Sequence, residues 1–331
     1  MVPGWPRFVR RILDTERVRV VLGGSSAKLL HTEVATELRG RGLAVEVFPY
    51  SLAEALLAAG DPMPGAAGAG PRSRSRLEAA CKRYLEIGGF PEVQAMEPLA
   101  RPQTLQDYVE LVLLRDVNER HRVENVAAAR AFSRLLLQSP ASAFSVNKVY
   151  ADLRSRGLRV SRDTLHALLD HFQDACLVFA IPVLRKSLRA QNTNPRKLYA
   201  IDPGLAAAMS HVTAADAGAR LENAVFLQLR RRQGRLLQGQ VSYYLTASGH
   251  EVDFVVGDVF EQRAGRLVQS CASLAEPATR EREIRALTEA MGETGLLTGE
   301  IVTLLDDETI ETKAGIIHAV PAWRWLLAND G

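Results

Sequence analysis

Apolar and polar residues recur along this chain in blocks of different period, and the periods predict the elements. Arg17–Leu22 (RVRVVL) is a β-branched run, GGSS follows as a turn, and Leu29, Leu30, Val34 and Leu38 then fall on one face of a helix from about Ala27 to Arg39. Leu43–Phe48 reads as a second strand, stopped at Pro49. Two strands joined through a helix predict a right-handed parallel crossover in an α/β sheet. Residues 61–76 (DPMPGAAGAGPRSRSR) lose all periodicity and read as a loop or linker. Helical spacing resumes over Leu77–Glu86, breaks at GGFPE (88–92) and returns from about Gln103 to Arg120.

From 125 to 205 the pattern has the order of a winged helix. One helix spans Ala127–Gln138 and a second Ser145–Arg156, with Ser145 as its N-cap and Gly157 as its stop. Ser161 opens a third helix, on which Leu165, Leu168, Leu169 and Phe172 form a buried stripe. Two strands follow, LVFAIPV and RKLYAID, separated by the basic segment RKSLRAQNTNP. Such a module serves on DNA or as a packing unit inside a larger assembly. The remainder predicts a helix over Arg220–Arg232, strands at Val241–Leu245, Glu251–Val256 and Arg266–Cys271, a helix over 279–293, and the closing runs IVTLL and IIHAVPAWRWLL. That mixture is α+β or α/β.

Composition narrows the class. Hydrophobic residues at 47% and charged residues at 24% are ordinary globular values. No run approaches the roughly 18 apolar residues of a membrane span, and MVPGWPRFVRRIL lacks the core of a secretory signal. Cys81, Cys176 and Cys271 are isolated thiols, which excludes a disulfide framework and fits a cytoplasmic protein. The net charge of +3 does not by itself imply a polyanionic partner, and the preference for arginine over lysine reads as genomic composition. Arg72, Arg74 and Arg76 read as part of a solvated tether.

Two stretches of the chain bear on chemistry. No GxxxxGK[ST] loop occurs: in GGSSAKLL the lysine is not followed by Ser or Thr, and no acidic pair follows an apolar strand to hold magnesium. The expectation is that this chain alone is not a competent P-loop ATPase. In the C-terminal region Glu222 lies on a helix, Asp253 on a strand beside Glu251, and Gln269 on the next strand with Cys271 two residues on. Glu251 and Asp253 are predicted to share one strand face, with Val252 and Phe254 on the other. A helix glutamate, a strand aspartate and a following acidic-x-Lys strand resemble the magnesium site of PD-(D/E)XK nucleases. Here an amide replaces the carboxylate and a thiol the lysine, so the site reads as degenerate, with magnesium possible at Asp253. The seven histidines are scattered, and Ser25 and Ser26 have no His/Asp partners that would make them nucleophiles.

The stretches LGGSSAKLLHTEVATELRGRGLAVEVFPYSLAEAL, YLEIGGFPEV, LLRDVNER, KLYAIDPGL, LENAVFLQLRRR and GHEVDFVV, in this order, resemble the AAA-superfamily predicted ATPases of bacteria and archaea that carry a C-terminal domain of unknown function. The resemblance implies ATP and Mg as family cofactors. It implies that Ser25 and Ser26 lie near the γ-phosphate, on a strand like the sensor-1 strand, and that Arg39 and Arg41 face phosphate. For the same two arginines the alternative is a helix C-terminus using cations against its dipole. The family's P-loop would precede Arg17, and its absence reads as an N-terminal truncation.

The expected architecture is α/β and α+β, multi-domain. Residues 1–60 are the remnant of an AAA-type ATPase domain, 61–124 a linker and helical lid-like segment, 125–205 a winged helix, and 206–331 a nuclease-like domain. The expected function is that of an ATPase-family, DNA-associated protein without hydrolysis of its own. The alternatives are a Mg-dependent nuclease and a non-catalytic scaffold. Arg162, Lys186, Arg189, Arg196 and Lys197 are the candidate DNA contacts. Partners are DNA, another protein or a second copy of the chain, and no membrane.

Overall fold

Among the described residues the strands pair into a three-stranded and a six-stranded sheet. The computed structural model describes residues 5–24, 45–61, 70–118, 125–138, 140–184, 195–210, 217–232, 241–258 and 263–328. Helix α1 spans Trp5–Thr15. Residues 17–24 and 45–48 then form no strand, and Val18, Val21, Val45 and Val47 stand exposed. This differs from the two strands expected there. A strand exists only through its ladder, and no described strand runs beside either segment. The helix expected from about Ala27 to Arg39, and the candidate residues Ser25, Ser26, Arg39 and Arg41, fall outside the described residues.

From Glu46 the chain is tied down. Arg230 forks onto Glu46 at 2.7 and 3.1 Å, and Arg231 donates to the Pro49 carbonyl at 2.9 Å. Helix α2 (Leu52–Ala58) starts in a reciprocal capping box between Ser51 and Glu54. Helix α3 spans Pro71–Ile87, so it begins six residues before the expected Leu77. Pro71 preorganises its first turn and an Arg74–Glu78 pair spans the next. Gly88, at φ 75°, ends it, and GGFPE breaks the helical run as expected. Short helix α4 (Pro91–Gln94) and helix α5 (Ala100–Leu111) follow, the latter continuing as a π-helical stretch over Val112–Asn118.

The central region runs α6 (Val126–Gln138), β1 (Ser142–Phe144), α7 (Val146–Ser155), α8 (Arg162–Asp174), β2 (Val178–Ile181) and β3 (Arg196–Ala200). Its sheet has the antiparallel order β1–β3–β2. The stripe Leu165, Leu168, Leu169 and Phe172 is buried as its spacing predicts, against Phe132, Leu153 and Leu198. Ser161 caps α8 by accepting from Thr164 N at 3.0 Å. Ser145 sits at the start of α7 but makes no capping bond with its side chain. Helix α9 (Pro203–Met209) is capped by Asp202, which also accepts from Gly89 N at 2.6 Å and so binds the glycine break to this region.

The last region runs α10 (Ala217–Arg232), β4 (Val241–Leu245), β5 (Glu251–Asp258), β6 (Arg263–Ser270), α11 (Pro277–Thr294), β7 (Thr298–Thr303), β8 (Glu308–Thr312), β9 (Gly315–Pro321) and α12 (Ala322–Leu327). The sheet order is β4–β5–β6–β7–β9–β8. Strands β4 to β6 are antiparallel, and α11 carries the chain from β6 to its parallel neighbour β7. Helices α10 and α11 pack on opposite sheet faces, through Phe226 and Val225 on one and Leu287 and Met291 on the other. No described helix is long and apolar enough to cross a membrane.

The alternation expected in β5 is interrupted. Ser242 pairs Val255 and Tyr244 pairs Val252, so three steps of β5 oppose two of β4. This bulge sends Phe254 into the α10 side and Val252 into the α11 side, rather than both to one face. The Phe254 ring then completes an aromatic cluster with Phe179, Tyr199 and Phe226 that joins the two sheets.

Candidate functional site

Asp253 lies within this bulge and faces Lys197, which also reaches Glu222 on α10. There the structure brings together Glu222, Asp253 and Gln269, the three residues expected from their pattern, and adds a lysine from the other sheet. Lys197, on β3, is 2% exposed, and its Nζ lies 2.7 Å from Glu222 Oε1, 2.9 Å from Glu251 Oε1 and 3.0 Å from Asp253 Oδ1. The Tyr199 hydroxyl donates to Glu222 Oε1 at 2.9 Å. Asp253 Oδ2 accepts from the amide and the hydroxyl of Ser270, at 2.9 and 3.0 Å.

Gln269 is held on both ends. Its Oε1 accepts from Asp253 N at 3.0 Å and its Nε2 donates to Glu283 Oε2 at 2.5 Å. Glu283, buried on α11, is in turn paired with Arg282. The cluster therefore draws on β3, α10, β5, β6 and α11. Every named polar side chain in it has a partner, as buried polar groups require.

The electrostatics follow from burial. Burial, and next the Asp253 charge, push Glu222 up to about 8, against the pull of Lys197. Burial alone would lower Lys197, but Asp253 and the other neighbours outweigh it and hold the ammonium above the usual lysine range. Burial raises Glu283, opposed by its Arg282 partner, and raises the Cys271 thiol to about 12. A thiol so held is not a nucleophile at neutral pH.

A carboxyl raised on folding binds its proton more tightly in the native state, so its stabilising contribution is full below the unfolded value and is lost as pH rises through the folded one. For Glu222 that window runs from 4.5 to about 8. Asp202, raised by burial to about 6, acts in the same direction between 3.8 and about 6. Stability measured by urea unfolding is expected to fall between pH 5 and pH 8, and Glu222→Gln is expected to flatten that slope above pH 6. A wild-type slope unchanged in the variant would contradict the assignment.

A divalent cation needs carboxylate oxygens free to converge on it. The point on which Glu222, Glu251 and Asp253 converge is taken by the Lys197 ammonium, the second Asp253 oxygen is committed to Ser270, and the Gln269 oxygen to a backbone amide. This donor set does not fit magnesium. Among the described residues no group of three or more His, Cys, Asp or Glu is arranged to hold a metal.

The other expected site residues are dispersed. Arg162 and Arg196 are exposed at the starts of α8 and β3, whereas Lys186 and Arg189 lie outside the described residues. Lys197, expected to face DNA, instead faces the carboxylates. A signal for this is present in RKLYA, since strand alternation puts Lys197 on the same side as the buried Tyr199. Glu283 and Ser270 carry no local signal, because only the β5–β6 register brings Ser270 to Asp253 and only the return of α11 brings Glu283 to Gln269.

Comparison with known proteins separates the chain into recognisable parts. A family model described as an AAA domain matches residues 1–56, and one described as a domain of unknown function (DUF8612) matches residues 78–216. An uncharacterized protein of Methanocaldococcus jannaschii is 30% identical over 98% of this chain and 72% of its own length. An uncharacterized protein of Haemophilus influenzae is 27% identical over 77% of this chain, which spans 60% of that relative. No solved structure matches the chain significantly.

Proposed function

The chain belongs to a family of AAA-superfamily proteins with a domain of unknown function C-terminal to the AAA segment, and from that premise we propose a DNA-associated, ATPase-family protein whose last domain is built like a nuclease but does not cut. The α10–β4–β5–β6–α11–β7 order, three antiparallel strands and then a parallel one, supports the nuclease-like reading of residues 206–331. The order helix–strand–helix–helix–strand–strand, with a β1–β3–β2 sheet, supports a winged helix over 125–205. On this reading residues 1–60 belong to the nucleotide-handling part, with Ser25, Ser26, Arg39 and Arg41 near phosphate and ATP with Mg as the family's cofactors.

The observation that carries the non-cutting role is Lys197 Nζ within 3.0 Å of three carboxylates. An ammonium cannot polarise a phosphodiester oxygen while activating a water as a bound divalent ion does. It offsets part of the carboxylates' charge instead and clamps the three-stranded sheet to the C-terminal domain. The domain then serves as a rigid support for the winged helix. Incubation of the full chain with plasmid and linear DNA in Mg²⁺ or Mn²⁺ is expected to leave both intact. Cleavage that disappears in Asp253→Ala would overturn this reading in favour of a metal-dependent nuclease.

A further inference from the structure

We propose that the edge where α7 meets α8 binds the backbone of duplex DNA, with the Tyr150 ring as its organising centre. The proposal rests on the DNA-associated reading above and adds the surface and the form of DNA.

Tyr150 lies half-buried on α7, and two guanidiniums stack against its ring. Arg162 Cζ is 4.6 Å from the ring centroid and Arg154 Cζ 5.7 Å, with Arg154 Nη1 also donating to the Tyr150 hydroxyl at 3.1 Å. Lys148, Arg156 and Arg159 are exposed along the same helix and the turn that follows it. The Asn125 side chain donates to the Arg159 carbonyl at 2.8 Å, which ties that turn to the start of α6. Arg156 pairs with Asp152 at 3.0 Å, but Lys148, Arg154, Arg159 and Arg162 make no ion pair among the described residues. Asp163 and Asp170 are the exposed carboxylates of α8.

Like charges gathered without carboxylate partners repel one another, and a polyanion relieves that repulsion. Stacking on one ring holds both arginines before the ligand arrives, so less side-chain freedom is lost on binding. The guanidinium fork also matches a phosphate oxygen pair. Single strands bind through bases stacked on open aromatic faces, but the Tyr150 ring is already occupied by guanidiniums. A helix is about 10–12 Å across and the major groove about 12 Å wide, so α8 can enter it. Arg162, Asp163, Thr164, His166, Ala167 and Asp170 are its exposed residues, and Ala167 allows close approach.

Fluorescence anisotropy of the full chain with a short labelled duplex, over a range of salt, tests this. The double variant Arg154→Ala/Arg162→Ala is expected to bind about tenfold or more weakly, with a dependence of log K on log salt shallower by roughly two. Arg280→Ala/Arg285→Ala on α11 makes the same change in net charge elsewhere and is expected to bind as wild type. Equal loss in both double variants would show a net-charge effect and overturn the surface. So would unchanged binding by the Arg154/Arg162 variant, which would leave the DNA reading standing, or tighter wild-type binding to a single strand than to the duplex. No duplex binding by the wild type at low salt would remove both the surface and the DNA-associated reading.

Discussion

Lys197→Met is expected to destabilise the protein by about 3–5 kcal/mol at neutral pH, the usual cost of removing one partner from a buried charge cluster. Methionine keeps most of the volume of the lysine stem, so the loss reports the charge rather than a cavity. The buried Glu222 and Asp253 and the part-exposed Glu251 would then face one another with no ammonium among them. Urea unfolding measures the change. Two further results are expected from the same variant. The deficit shrinks toward acid pH, as protons replace the missing cation. Added Mn²⁺ stabilises Lys197→Met but not the wild type, because the vacated point is ringed by carboxylate oxygens. A loss below about 1 kcal/mol, the range of an exposed ion pair, would mean that water screens the cluster and that the lysine does not clamp the two sheets.

Phe226→Ala is expected to cost about 3–5 kcal/mol, the range for truncating a buried aromatic to alanine. Phe226 is 1% exposed. Its ring stacks on Tyr199 at 4.4 Å and meets Phe179 at 5.7 Å and Phe254 at 6.4 Å. Two of these rings come from β2 and β3 of the three-stranded sheet and one from β5 of the six-stranded sheet. The cavity would therefore open at the seam between them, one helical turn from Glu222. Urea unfolding gives the energy, and near-ultraviolet circular dichroism reports the loosened rings. Phe226→Leu refills most of the volume and is expected to recover more than half of the loss. If Phe226→Ala cost no more than a surface substitution, the seam would not be a packed core.

Lys197→Met and Phe226→Ala test the same junction by charge and by packing. Their neighbours overlap, so the two energies are not expected to add. The combined variant measures the coupling between the clamp and the aromatic seam.

Much of this architecture was legible along the chain. The stripe on α8, the glycine break at 88–92, the helix-then-strands order of the C-terminal region and the trio Glu222, Asp253 and Gln269 all follow from local period and residue type. Other elements were not legible for identifiable reasons. The valine-rich segments 17–22 and 43–48 have strand composition, but composition supplies no partner ladder. The early start of α3 rests on Pro71 at its first position, which reads in isolation as a linker residue. The bulge in β5 shows only in its register against β4, so simple alternation put Val252 and Phe254 on one face although they enter different cores.

By itself the sequence determined most element types from residue 77 on, the buried stripe on α8 and the three acidic or amide positions that meet at one place, because spacing on a helix or strand is a local property. The tertiary structure decided what that place is. Lys197 lies 25 residues before Glu222 and 56 before Asp253, so the alternation of RKLYA can signal its burial beside Tyr199 but not which carboxylates it meets. Only the packing of β3 against α10 and β5 brings its ammonium to the point where those carboxylates converge. Since burial makes an unpaired charge costly, that long-range contact determines the electrostatic character of the site.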